Sequence, residues 1–102
     1  MDMERARREQ IRWVILDALN HGRPYPVAEP LILGAIQGVP IQCTALELRR
    51  EMDYLADRAL LELTRLEGAP WTARLTRAGI DVLEYTVECD PGIARPKKYW
   101  AS

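Results

Sequence analysis

Between residues 3 and 20 the apolar positions Ile11, Val14, Ile15, Ala18 and Leu19 recur at helical spacing, with arginines and glutamates filling the first turns. The spacing predicts a helix over 3–20, stopped by His21-Gly22 and by Pro24 just beyond. In the stretch GRPYPVAEP, Pro24, Pro26 and Pro30 remove backbone donors and fix φ, which predicts a tethered loop with no regular element. Leu31, Ile32, Ala35 and Ile36 then give EPLILGAIQG the apolar side of a short second helix, with Pro30 tolerated in its first turn and Gly38 at its end. After the connector VPIQC, Thr44 and Glu47 form a capping box at the head of a third helix, an interaction worth about 1 kcal/mol. Leu48, Met52 and Leu55 make its apolar face; Arg50, Asp53 and Asp57 lie opposite, flanked by Glu47, Arg49 and Tyr54.

After Asp57 the period changes. ALLELTRL alternates, imperfectly because Leu60 and Leu61 are adjacent, and predicts a strand; EGAP is a turn signal and WTARLT a returning strand. Thr76 then caps a fourth helix of about ten residues, with Ile80, Leu83 and Val87 as its apolar face and Gly79 allowing close packing in its first turn. The order of elements predicts a mostly α fold with a small β-hairpin. Specifically, it is that of a winged helix-turn-helix: three helices, a two-stranded wing and a C-terminal helix over 1–88. Residues 89–102, CDPGIARPKKYWAS, carry two prolines and a glycine and are expected to form an extended, basic and aromatic tail.

Composition narrows the function classes. The chain has 102 residues, 48% hydrophobic and 28% charged, enough for one modest core. No apolar run approaches a membrane span and the first ten residues lack the apolar centre of a signal peptide, so a cytoplasmic protein without membrane contact is expected. Cys43 and Cys89 have no CxxC spacing and His21 is the one histidine; neither a metal site nor a cofactor is expected, and the thiols read as structural rather than redox-active. No phosphate loop or nucleophile–base arrangement stands out, which disfavours an enzyme. His21 reads as a helix-terminal residue bonded to carbonyls rather than as a catalyst.

The segment LADRALLELTRLEGAPWTARLTRAGIDVLE resembles the end of the recognition helix, the wing and the next helix of bacterial winged-helix proteins of the MarR, PadR and ArsR type. Leu75, Thr76 and Gly79 fit their Leu-Thr-x-x-Gly motif, and Ala59 stands where those families commonly have glycine. Over almost the whole length the chain is similar to a small winged-helix protein of Mu-like phages and prophages. Leu75-Thr76, Gly79, Asp81-Val82, Pro91-Gly92 and Arg95-Pro96 carry that likeness. The resemblance implies a winged-helix scaffold of mobile-element origin and leaves its role open.

Two roles compete. If the third helix enters a major groove, Gln42, Thr44, Glu47, Arg49, Arg50 and Tyr54 are the contact candidates. Arg50 is the best reader of a guanine edge, and Arg65 and Arg74 on the hairpin arms reach phosphates or the minor groove. Against this, Glu47, Glu51, Asp53 and Asp57 oppose only Arg49 and Arg50 along that helix, and the net charge of −1 attracts no polyanion as a whole. The alternative is a non-enzymatic module of the same fold that docks a phage or host protein, as in morphogenesis or DNA packaging. A homodimer is expected in the first case, with Trp71, Lys97, Lys98, Tyr99 and Trp100 as interface candidates because aromatic residues are enriched at interfaces. Leu46, on the outward side of the third helix, either folds back over the connector or belongs to a partner surface. Glu4–Arg8 and Arg5–Glu9 are expected as pairs on a solvated face.

Overall fold

Asp2 opens the first helix, α1 (Met3–Gly22), by accepting a hydrogen bond from the Arg5 amide at 3.1 Å. The structure, a computed structural model, describes residues 2–98. Ile11, Ile15 and Leu19 of the expected stripe are buried and floor the core together with Leu16, which the spacing did not single out, while Val14 and Ala18 are only half-buried. The helix runs two residues past the expected end because His21 stays in its last turn, its Nδ1 2.8 Å from the Asp17 carbonyl. The expected surface pairs form as well, Arg5 with Glu9 at 3.3 Å and Arg8 with Glu4 at 4.0 Å.

The proline-rich stretch holds a regular element after all. Val27–Ala28 is a short strand, β1, lying between Pro26 and the next helix. It pairs antiparallel with a later strand, in the register Val27↔Ala73 and Ala28↔Thr72. Prolines beside a two-residue edge strand withdraw no donor from the ladder, which is why they failed to exclude it. The loop closes tightly over the end of α1: a Cβ on Gly22 would stand 2.3 Å from a Val27 methyl.

Helix α2 (Glu29–Gly38) buries Ile32 and Ile36 but leaves Leu31 on the surface. Helix α3 (Ala45–Asp57) begins with the expected capping box: Thr44 Oγ1 accepts from the Glu47 amide at 3.1 Å, and Glu47 Oε1 from the Thr44 amide at 3.2 Å. Leu48, Met52 and Leu55 point into the core. The helix ends in a Schellman turn, with the Leu60 amide on the Leu55 carbonyl at 3.0 Å and the Ala59 amide on the Ala56 carbonyl at 2.9 Å. Ala59 takes the left-handed conformation at φ 59°, at the place where such turns favour glycine.

Strands β2 (Leu61–Thr64) and β3 (Thr72–Leu75) form the expected hairpin, with Leu61 opposite Leu75 and Glu62 opposite Arg74. Leu61 and Ala73 face the core, as the alternation requires. With β1 the sheet has three strands in the order β1-β3-β2, one more than the hairpin alone. Thr76 caps α4 (Arg77–Leu83) through the Gly79 amide at 3.1 Å. This helix is seven residues long rather than ten, because a second Schellman turn stops it. The Tyr85 amide bonds the Val82 carbonyl and the Thr86 amide the Asp81 carbonyl, with Tyr85 at φ 61°. Val82 takes the buried position on α4; Val87 lies beyond the helix and is exposed.

Residues 89–98 carry no regular element, yet they are bound to the body of the protein. Ile93 is buried, the Ala94 amide bonds the Glu9 carbonyl at 3.1 Å, and Arg12 donates to the Gly92 carbonyl at 2.8 Å. Arg95 donates to the carbonyls of Val82 and Val87 at 2.9 and 3.0 Å, closing the end of α4 from outside. The fold is thus mostly α, four helices around one core with a small antiparallel sheet at the edge. No described helix is long and apolar enough to cross a membrane.

Candidate nucleic-acid interface

With Leu48, Met52 and Leu55 facing the core, a turn of about 100° per residue puts Leu46, Arg50, Asp53 and Asp57 on the outermost line of α3. The residues flanking that line, which the sequence offered as DNA contacts, are mostly engaged within the protein. Thr44 and Glu47 are used by the capping box, and Glu47 also pairs with Arg7 of α1. The Arg7 guanidinium, then the Thr44 amide, hold the Glu47 carboxyl below the usual carboxylate range. Arg7 also donates to the Gln42 backbone carbonyl at 2.8 Å, and Gln42 is exposed, its side chain without a hydrogen bond among the described residues.

Arg49 forms a bidentate pair with Glu29 at the start of α2, both bonds 2.8 Å. Its guanidinium lies over the Trp71 ring at 4.5 Å, and the Trp71 amide donates to the same Glu29 carboxylate. The Glu29 carboxyl is held low, by the Arg49 bonds first and the Trp71 amide in support, against the opposing effect of burial. Trp71, expected at a dimer interface, is therefore half-buried in an internal link between α2, α3 and the hairpin. Tyr54 is likewise internal. Its ring lies between the guanidinium groups of Arg12 and Arg58, 3.5 and 3.4 Å from the centroid, and its hydroxyl faces Asp90. Arg58 in turn bonds Asp90 at 2.6 Å, and Arg12 bonds the buried Glu51 at 2.7 Å.

That leaves three cations. The side chains of Arg50 on α3 and Arg74 on β3 are exposed and hold no ion pair or hydrogen bond among the described residues. Arg65, beyond β2, pairs with Asp53 at 2.5 Å, but both side chains are about half exposed, at 51% and 44%. Such a surface pair is worth at most about 1 kcal/mol and yields to a competing anion. The acids Asp57 and Glu62 are exposed on the same side, so the free charge of the surface is close to balanced.

Comparison with protein-family models, curated proteins and solved structures gave no match. The chemistry of the site is therefore that of its own side chains. Among the described residues no cluster of histidine, cysteine or carboxylate is arranged to hold a metal ion. Cys43 and Cys89 are half-buried free thiols whose pKa values are pushed up, chiefly by burial, which suppresses the reactive thiolate. Lys97 and Lys98 are exposed, with the Lys98 ammonium 5.8 Å from the Tyr85 ring, while Tyr99 and Trp100 lie outside the described residues.

The residues that sequence reasoning missed are the partners: Glu29, Arg12, Arg7 and Asp90. Each meets its counterpart across a large separation, 20 residues for Glu29 with Arg49 and 39 for Arg12 with Glu51. Local charge pattern carries no trace of such pairs.

Proposed function

We propose that this chain is a winged helix-turn-helix protein that binds double-stranded DNA as a cytoplasmic regulator of a Mu-like phage or prophage. In this reading α3 is the recognition helix and β2–β3 the wing. The order α1-β1-α2-α3-β2-β3-α4 supports the scaffold, since the third strand ties the wing back to the start of α2. The observation that carries the DNA reading is Arg50, the one cation on the outermost line of α3, exposed and unpaired among the described residues. Arg74 and the exchangeable Arg65 flank it on the hairpin and supply phosphate contacts.

The number of cations sets the strength. Two phosphate contacts, from Arg65 and Arg74, give a slope of log affinity against log salt of about −1.8 for one protomer, well short of the six to ten contacts of a strong binder. Binding to mixed duplex DNA at about 50 and about 200 mM salt is the direct test. Arg50→Ala should weaken binding and relax any sequence preference; Arg65→Ala with Arg74→Ala should weaken it uniformly and flatten the salt slope by about two units. Absence of binding at about 50 mM salt would sink the DNA reading.

A second reading rests on Leu46, which is 60% exposed beside Arg50 and does not fold back over the connector. An apolar side chain amid balanced charge suits the same face to a phage or host protein. Under it, Leu46→Glu abolishes partner capture while DNA titrations stay blank.

A further inference from the structure

We propose that Asp53 is a specificity residue: its carboxylate accepts from the amino group of a cytosine and in exchange releases Arg65 to the phosphate backbone. The inference rests on the DNA reading above and names the base that this face selects.

Asp53 differs from the other acids of α3 in its position and its partner. It stands three residues after Arg50 on the outermost line, so the two side chains project about 4.5 Å apart along the helix axis. Stacked nucleotides are about 3.4 Å apart, so Arg50 on one base pair brings Asp53 to the next. Glu47 and Glu51 are held by Arg7 and Arg12 of α1, and Asp57 is the last residue of the helix, away from its N-terminal half. Among the described residues Asp53 bonds only Arg65, at 2.5 Å. Arg65 follows β2 directly and its guanidinium lies 5.2 Å from the centre of the Trp71 ring, so the pair bridges α3 to the hairpin.

An ionised carboxylate only accepts hydrogen bonds. In the major groove guanine presents the acceptors N7 and O6, thymine presents O4, and adenine sets its amino donor beside the acceptor N7. Cytosine presents its N4 amino group, a donor alone. Opposite cytosine, Asp53 gains a partner in place of Arg65, and the freed guanidinium reaches a phosphate. Opposite any other base Asp53 keeps Arg65, because a bare carboxylate would face acceptors and phosphates. Base identity is thereby converted into phosphate contacts. Arg65 and Arg74 both contribute with cytosine, for a salt slope of about −1.8, and Arg74 alone without it, for about −0.9. Mixed duplex DNA always offers cytosine, so the condition shows on duplexes that lack its free amino hydrogen.

The experiment titrates the full chain at about 50 and about 200 mM salt against two duplexes of one mixed sequence, carrying cytosine or N4-methylcytosine throughout. The methyl group replaces the amino hydrogen that faces the groove and leaves the guanine atoms available to Arg50 unchanged. The wild type should bind the methylated duplex about tenfold more weakly, with the slope reduced to about −0.9. Asp53→Ala frees Arg65 on every sequence. It should bind both duplexes alike with a slope of about −1.8, and should bind a duplex of A·T pairs more tightly than the wild type does. A merely structural role for Asp53 would weaken binding to all three. A wild type indifferent to methylation, equal wild-type slopes, or discrimination that survives in Asp53→Ala overturns the proposal and leaves the DNA reading standing. Absence of wild-type binding to either mixed duplex at about 50 mM salt overturns both.

Discussion

Gly79 of α4 packs directly on the Leu60 carbonyl that follows α3: a Cβ at Gly79 would stand 2.1 Å from that oxygen and 3.1 Å from a Leu75 methyl. The same carbonyl accepts the Thr76 amide at 3.2 Å, and the Thr76 hydroxyl donates to the Ala59 carbonyl at 2.6 Å. The end of α3 and the start of α4 are one joint, with the hairpin looped out between them.

Gly79→Ala forces a methyl against fixed backbone, where no rotamer change relieves the clash. The expected cost is about 2–3 kcal/mol, read as a lower denaturation midpoint with unchanged slope. A neutral result would mean that the joint is looser than its distances.

Ala59 occupies the other side of that joint with a left-handed backbone. Ala59→Gly removes the Cβ strain there and should stabilise by about 0.5–1 kcal/mol, although glycine also loosens the unfolded chain. Gly→Ala and Ala→Gly thus act in the same joint with opposite sign, as thermal melts of the two variants will show.

Acid should weaken the fold through Glu29 and Asp90. Arg49 lowers the Glu29 pKa, and the Gly92 amide, aided by Arg58, lowers that of Asp90. A carboxyl depressed on folding stabilises above its unfolded value and loses that contribution as pH falls through the folded one. The melting temperature should hold near neutrality and fall below about pH 4. Glu29→Gln should melt lower at pH 7 and show a shallower acid decline; an equal decline would assign the loss to other carboxylates.

The C-terminal segment is held by Ile93, buried against the core, as well as by the charges around Tyr54. Ile93→Ala should cost about 2–4 kcal/mol. It should also raise amide exchange at Ala94, whose bond to Glu9 fixes the segment on α1. Full stability in that variant would show that the segment only lies on the surface.

Local signals were legible where the physics is local. The capping box of Thr44 and Glu47, the Thr76 cap, the apolar face of α3 and the two strands of the hairpin all depend on residues a few positions apart, or on alternation within one strand. The position of Ala59, marked by its likeness to a glycine site, also proved to be a left-handed turn. By contrast, β1 exists only because β3, some 45 positions later, offers an open edge to Val27 and Ala28. A strand that short has no pattern of its own.

The candidate interface divides in the same way. Sequence by itself determined which residues face out from α3, because helical periodicity depends on the chain's own spacing. Tertiary structure decided which of those residues are free. Arg49 and Tyr54 face outward by periodicity yet are claimed by Glu29, Trp71, Arg12, Arg58 and Asp90, all brought from distant parts of the chain. Arg50 is exposed and holds no ion pair among the described residues. Charge pairs act over a few ångströms in space, and no spacing along the sequence records that proximity.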